Sequence, residues 1–115
     1  MPGKTWLRVE NRILMSCPEF HLVFAALAQR DIDDILAYTI ETWGAAQLDK
    51  YKRILDIAFR KLEQNPNIGK TGLLPDFRSL QAGSHVIFYR IDETSIHVVR
   101  ILHARMDFGR HLSEE

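Results

Sequence analysis

A single cysteine, Cys17, stands in this chain of 115 residues, so no internal disulfide can form and the chain fits a reducing cytoplasm. No stretch approaches the ~20 apolar residues of a membrane-spanning helix. Residues 1–17 have no signal-peptide core, because Lys4, Arg8, Glu10 and Arg12 interrupt every apolar run. Net charge is missing as well: fifteen Lys and Arg cancel fifteen Asp and Glu. That balance argues against strong nonspecific nucleic-acid binding, which excess cations at phosphates drive. Lysine is absent after Lys70. No Cys/His cluster has metal-ligand spacing, and neither Ser84 nor Ser95 sits in a nucleophile–base motif. The residues therefore call for no metal, no cofactor and no covalent catalysis.

What is present suffices for one core. With 46% hydrophobic residues, a chain of this length makes a single domain. Residues 1–18 read as an N-terminal extension, ordered or not, and residues 19–115 as the domain; Met15 is a second candidate start. Phe20 to Phe24 is a short apolar run suited to a strand. From Ala28, apolar residues at Ile32, Ile35, Leu36 and Trp43 recur at helical spacing, with Arg30, Asp31, Asp33, Asp34 and Glu41 on the opposite face. Gly44 ends that helix. A second helix begins near Ala45, with Leu48, Tyr51, Ala58, Phe59 and Leu62 in its stripe, and Asn65-Pro66-Asn67 ends it. So short a link makes an antiparallel helical hairpin. Residues 68–76, rich in Gly and closed by Pro75, read as a mobile loop.

Three strands follow: Phe77 to Ala82, His85 to Ile91 and Ser95 to His103, the last two a hairpin across Asp92-Glu93-Thr94. The predicted class is α+β in the order β-α-α-β-β-β, with the helical hairpin on one face of a small, mainly antiparallel sheet. Alternation places Val86, Phe88 and Arg90 on one face and His85, Ile87, Tyr89 and Ile91 on the other. By the same rule Ile96, Val98 and Leu102 oppose Val99 and Ile101. Both faces are apolar, so the face away from the helices needs cover from the C-terminal tail, a second subunit or a partner.

The charge is uneven along the chain. Residues 78–112 hold five Arg, three acids and four of the five His. The tail from His103 through Arg105, Met106 and Asp107 to Arg110 and His111 gathers groups able to meet a phosphate or a carboxylate, and reads as the working end. Tyr38, Trp43 and Tyr51 are predicted to pack in the core or between the helices, with Trp43 where the helices meet. His21, His85 and His97 read as structural or solvated, since a lone His with no placed partner carries no mechanism. Arg90 and Arg100 lie among apolar strand residues and need an anion once covered, either Asp107 or a partner's carboxylate.

Several segments in order and spacing resemble the ParE branch of the RelE/ParE toxins of bacterial type II toxin–antitoxin systems. They are Gln29 to Ile35 leading to Tyr38 and Trp43-Gly44, Asn65-Pro66 with Gly69, Leu74 to Leu80, Gly83 to Arg90, and Val99 to His103 with Arg105-Met106-Asp107. The resemblance covers about residues 20–112. It implies a cytoplasmic toxin that inhibits DNA gyrase by binding, is neutralised by a ParD-like antitoxin, and forms a toxin dimer within the complex. On that basis His103, Arg105, Met106, Asp107 and Arg110 are expected to bind the target. Arg78, Phe88, Arg90 and Arg100 are expected to bind the antitoxin. The alternatives are an mRNA endoribonuclease of the RelE kind, with Arg78, Arg90 and Arg105 on the phosphate and His111 as acid or base, or a non-toxic binding module of the same fold.

Overall fold

The computed structural model describes residues 20–105; the N-terminal extension and the tail residues Met106, Asp107, Arg110 and His111 lie outside them. Strand β1 (His21–Phe24) leads into α1 (Ala26–Trp43), which Gly44 ends at φ +92° while its N–H caps the Ile40 carbonyl. Helix α2 (Ala45–Gln64) follows without a loop. A 3-10 turn (Pro66–Ile68) then leads into β2 (Lys70–Leu74), β3 (Phe77–Ala82), β4 (His85–Asp92) and β5 (Ser95–His103). The sheet order is β1-β5-β4-β3-β2, with β1 parallel to β5 and every other pair antiparallel.

The predicted class holds, with one strand more than expected. Residues 70–74 form the edge strand β2 rather than a loop. Its pairing with β3 is irregular, joining Lys70 to Ser79 and Leu74 to Phe77 with Gly72 at φ +100° between them. Glycine and an adjoining proline hide such a strand from propensity, and four of its five residues are exposed, so no buried stripe marks it.

The main core lies between the helical hairpin and one sheet face. Ile35 of α1 and Tyr51, Leu55, Ala58, Phe59 and Leu62 of α2 pack against Ala82, Ile87, Tyr89, Ile96, Val98 and Ile101. Val86, Phe88, Val99 and Leu102 form a second cluster on the other face, with Leu74 and Phe77 packed against it. These four are buried within the single chain.

Ile101 and Leu102 occupy the opposite faces from those alternation assigns. The β4–β5 register passes from Tyr89↔Val98 to Phe88↔Arg100, so Val99 is an extra residue, a β-bulge. One inserted residue shifts every later side chain to the other face. Ile101 thereby joins Ile96 and Val98 under the helices, and Leu102 joins Val99.

Candidate functional site

Two tyrosine hydroxyls tie the helices to the sheet, one near each end. Tyr89 on β4 donates to the Pro66 carbonyl (2.6 Å) and accepts the Gly69 N–H (2.9 Å), pinning the chain that leaves α2. A Cβ at Gly69 would run into the Tyr89 hydroxyl and ring, so any larger residue must displace them. Arg78 closes the same corner, donating to the carbonyls of Gly69 (3.0 Å) and Asn67 (3.3 Å). Burial pushes the Tyr89 hydroxyl pKa upward, against the Gly69 N–H and the charge of Arg78.

Tyr51 of α2 makes the second tie, at the β3–β4 turn. Its hydroxyl accepts the Ser84 N–H (3.0 Å) and contacts the Ala82 carbonyl (3.1 Å) and His85 Nδ1. Gly83 sits at φ +62°, where an added Cβ would meet the Tyr51 hydroxyl at 2.7 Å. His85 is paired across the sheet with His103, and the two rings meet edge to face, centroids 5.2 Å apart and planes inclined by 78°. His103 Nδ1 accepts the Arg105 backbone N–H (3.1 Å).

Nδ1 of His103 accepts the Arg105 N–H, so a neutral ring carries its proton on Nε2. At Tyr51 the roles depend on the His85 tautomer: with Nδ1–H, that group and the Ser84 N–H donate to the hydroxyl, which donates to Ala82; with Nε2–H, the hydroxyl donates to Nδ1 instead. The first tautomer satisfies all three neighbours and leaves His85 Nε2 an acceptor. Burial first, and His103 next, push the His85 pKa below the usual imidazole value, and Asp31 offsets them only in part. His85, read from the sequence as structural, is brought beside Tyr51 and His103 by the cross-strand register of the hairpin.

The predicted cations do not converge. Arg78 pairs across the sheet with Tyr89, and Arg90 with His97, whereas Arg105 follows the strand end where His85 pairs with His103. Five residues separate His85 from Arg90, about 17 Å at ~3.4 Å per residue. Arg78 is occupied at its loop, and exposed Arg90 lies over the Phe77 ring, 5.7 Å from the centroid. Arg100 finds an anion within the chain: Asp31 of α1 binds it through two oxygens (2.8 and 3.0 Å) and also accepts the Ile101 N–H (2.9 Å), while the expected partner Asp107 lies outside the described residues. Arg100 is 8% exposed and Phe88 0%, so neither offers the antitoxin-binding surface expected of it. Tyr51 is buried as predicted, but Tyr38 and Trp43 are 62% and 66% exposed, not packed between the helices. Ile40, on the same last turns of α1, is exposed too. Among the described residues, no group of three His, Cys, Asp or Glu is placed to hold a metal ion, and no helix is long and apolar enough to cross a membrane.

Comparison with known proteins agrees with this fold. A family described as the ParE toxin of the type II toxin–antitoxin system parDE matches residues 22–108. Toxin ParE1 of Mycobacterium tuberculosis is 42% identical over 88 residues, covering 74% of this chain and 90% of that protein. Toxin ParE of Escherichia coli is 32% identical over 96 residues, covering 80% and 92%. In fold, the chain is similar to a solved chromosomal ParDE toxin–antitoxin system from P. aeruginosa, with a TM-score of 0.65, 20% identity and coverage of 73% and 95%. It is similar also to the toxin–antitoxin complex RelBE2 from M. tuberculosis, with a TM-score of 0.54, 22% identity and coverage of 74% and 98%. The chain belongs to the ParE toxin family of type II toxin–antitoxin systems.

Proposed function

We propose that this toxin acts by binding DNA gyrase and is held inactive by a ParD-like antitoxin that covers its helical hairpin and sheet. The observation that carries the binding mechanism is the scatter of Arg78, Arg90 and Arg105, since RNA cleavage by these arginines would require them gathered around one phosphate. The exposed Tyr38 and Trp43 supply the aromatic anchors that protein interfaces favour. The target is met by His103, Arg105 and the tail beyond them. Deleting Met106 to Glu115 is therefore expected to lower toxicity strongly and antitoxin affinity little.

The His85–His103 pair favours a second reading, RNA cleavage. His85 Nε2 takes the 2′-hydroxyl proton, the 2′-oxygen attacks phosphorus, and His103, once protonated at Nδ1 with release of the Arg105 N–H, gives its Nε2 proton to the departing 5′-oxygen, leaving a 2′,3′-cyclic phosphate. Purified protein incubated separately with gyrase on supercoiled DNA and with translating ribosomes tests both. Loss of supercoiling with intact mRNA supports the first reading; the converse supports the second. Under the second, His103→Gln lowers the cleavage rate roughly 10²–10⁴-fold.

A further inference from the structure

At the open end of the hairpin, two imidazoles each spend Nδ1 on the protein and leave Nε2 without a partner among the described residues. His103 presents a donor there, and His85, in the tautomer whose Nδ1–H meets Tyr51, presents an acceptor that becomes a second donor on taking a proton. Exposed Arg105 lies two residues beyond His103. The groups packed around the pair are few. Tyr51 comes from α2, the Ser84 N–H from the β3–β4 turn, and Asp31 from α1, its carboxylate committed to Arg100 and the Ile101 N–H. Asp31 is thus held by Arg100 and the Ile101 N–H, and its charge reaches His85 only to raise its pKa in part. Ring N–H donors with a guanidinium two residues away suit an oxyanion.

We propose that His85 and His103 form a binding site for a phosphate-type oxyanion that takes up one proton as it fills. The proton comes from solvent onto His85 Nε2, and the anion then accepts one hydrogen bond from each ring. The proposal goes beyond the choice of target, because the phosphates of DNA and RNA share this chemistry, and the test needs neither gyrase nor ribosomes.

The experiment is a titration of the histidine ring resonances of the full-length protein by NMR between pH 5.5 and 8. Sulfate is the probe, because its charge is constant over that range. Expected are saturable shifts of His85 and His103, a rise in the His85 titration midpoint, and an affinity that weakens roughly tenfold per pH unit above that midpoint, the slope of one coupled proton. His21 and His97 serve as internal controls and stay unchanged. Equal shifts at those controls, an affinity independent of pH, or acetate binding as tightly as sulfate would each overturn the site. Methyl phosphate and dimethyl phosphate then distinguish the source: tighter binding of the diester points to nucleic acid, tighter binding of the monoester to a free metabolite, and either order upholds the site. His85→Gln and His103→Gln are each expected to weaken sulfate at least tenfold. The wild-type titration decides the question even if a variant fails to fold.

Discussion

Two residues show how tightly this small core is specified, and Gly69 is the plainer of them. Its N–H meets the Tyr89 hydroxyl, which in turn meets Pro66, so an added methyl must displace a buried ring. Gly69→Ala is expected to cost roughly 1–3 kcal/mol by overpacking. Tyr89→Phe should cost about 1–3 kcal/mol, because it leaves the Gly69 N–H without its partner. Urea unfolding of both variants checks these values, and an unchanged midpoint for Gly69→Ala would mean that the turn opens without cost. His85 gives the pH-dependent case. Its folded pKa lies below the ordinary imidazole value, so the folded state holds fewer protons than the unfolded one as pH falls through ~6.5. The stability it contributes is present above that pH and is lost as pH drops toward the folded value. His85→Gln is expected to flatten the fall in melting temperature between pH 7 and 5; an unchanged slope would assign the acid sensitivity to other groups.

Element boundaries were legible in this sequence where periodicity and punctuation agree, and obscure where a single residue shifts the pattern. Gly44 and Asn65-Pro66 marked both helix ends, and β5 begins and ends at Ser95 and His103 as alternation and the turn indicate. The bulge at Val99 was invisible, because nothing in the Val-Val-Arg-Ile run distinguishes a paired valine from an inserted one, and it reversed the faces of Ile101 and Leu102. The Asp31–Arg100 pair was hidden for a different reason: 69 residues separate the two, and helical periodicity placed Asp31 on the solvent face. There it does the work of a strand. β1 stops opposite Val98, and the Asp31 carboxylate takes the Ile101 N–H beyond that point. Asp31→Ala leaves the Arg100 charge buried without that carboxylate and is expected to cost about 3 kcal/mol. The double change Asp31→Leu with Arg100→Met should recover much of that loss, since apolar residues of similar volume replace buried pairs at little cost. A double-mutant cycle in urea checks it; a double variant as unstable as the sum of the singles would mean that the pair does not act as a unit.

Among the described residues, the imidazole pair and the exposed aromatic surface occupy different elements. The imidazole pair lies where β4 and β5 meet the Tyr51 tie, whereas Tyr38, Ile40 and Trp43 stand on the last turns of α1. Trp43 continues the apolar stripe of α1, at helical spacing from Ile32, Leu36 and Thr39, yet it is two-thirds exposed. That is why sequence reading assigned it to the core: the periodicity is genuine, but it runs on to a turn where nothing covers it. An aromatic so exposed adds little to folding, since the area it removes from water is small. Tyr38→Ser and Trp43→Ser are therefore expected to leave stability within about 0.5 kcal/mol, the range of surface substitutions. If the antitoxin covers the helical hairpin, the same changes should weaken its binding by about 2 kcal/mol or more each, as truncated interface aromatics do. The ring pair should respond in the opposite sense, with His85→Gln and His103→Gln sparing antitoxin affinity while removing the sulfate site. Thermal melts together with calorimetric titration of the antitoxin into each variant separate the two surfaces. A Trp43→Ser protein that melts several degrees lower and binds antitoxin normally would return Trp43 to the core, and the helical hairpin would then cease to be the antitoxin's seat.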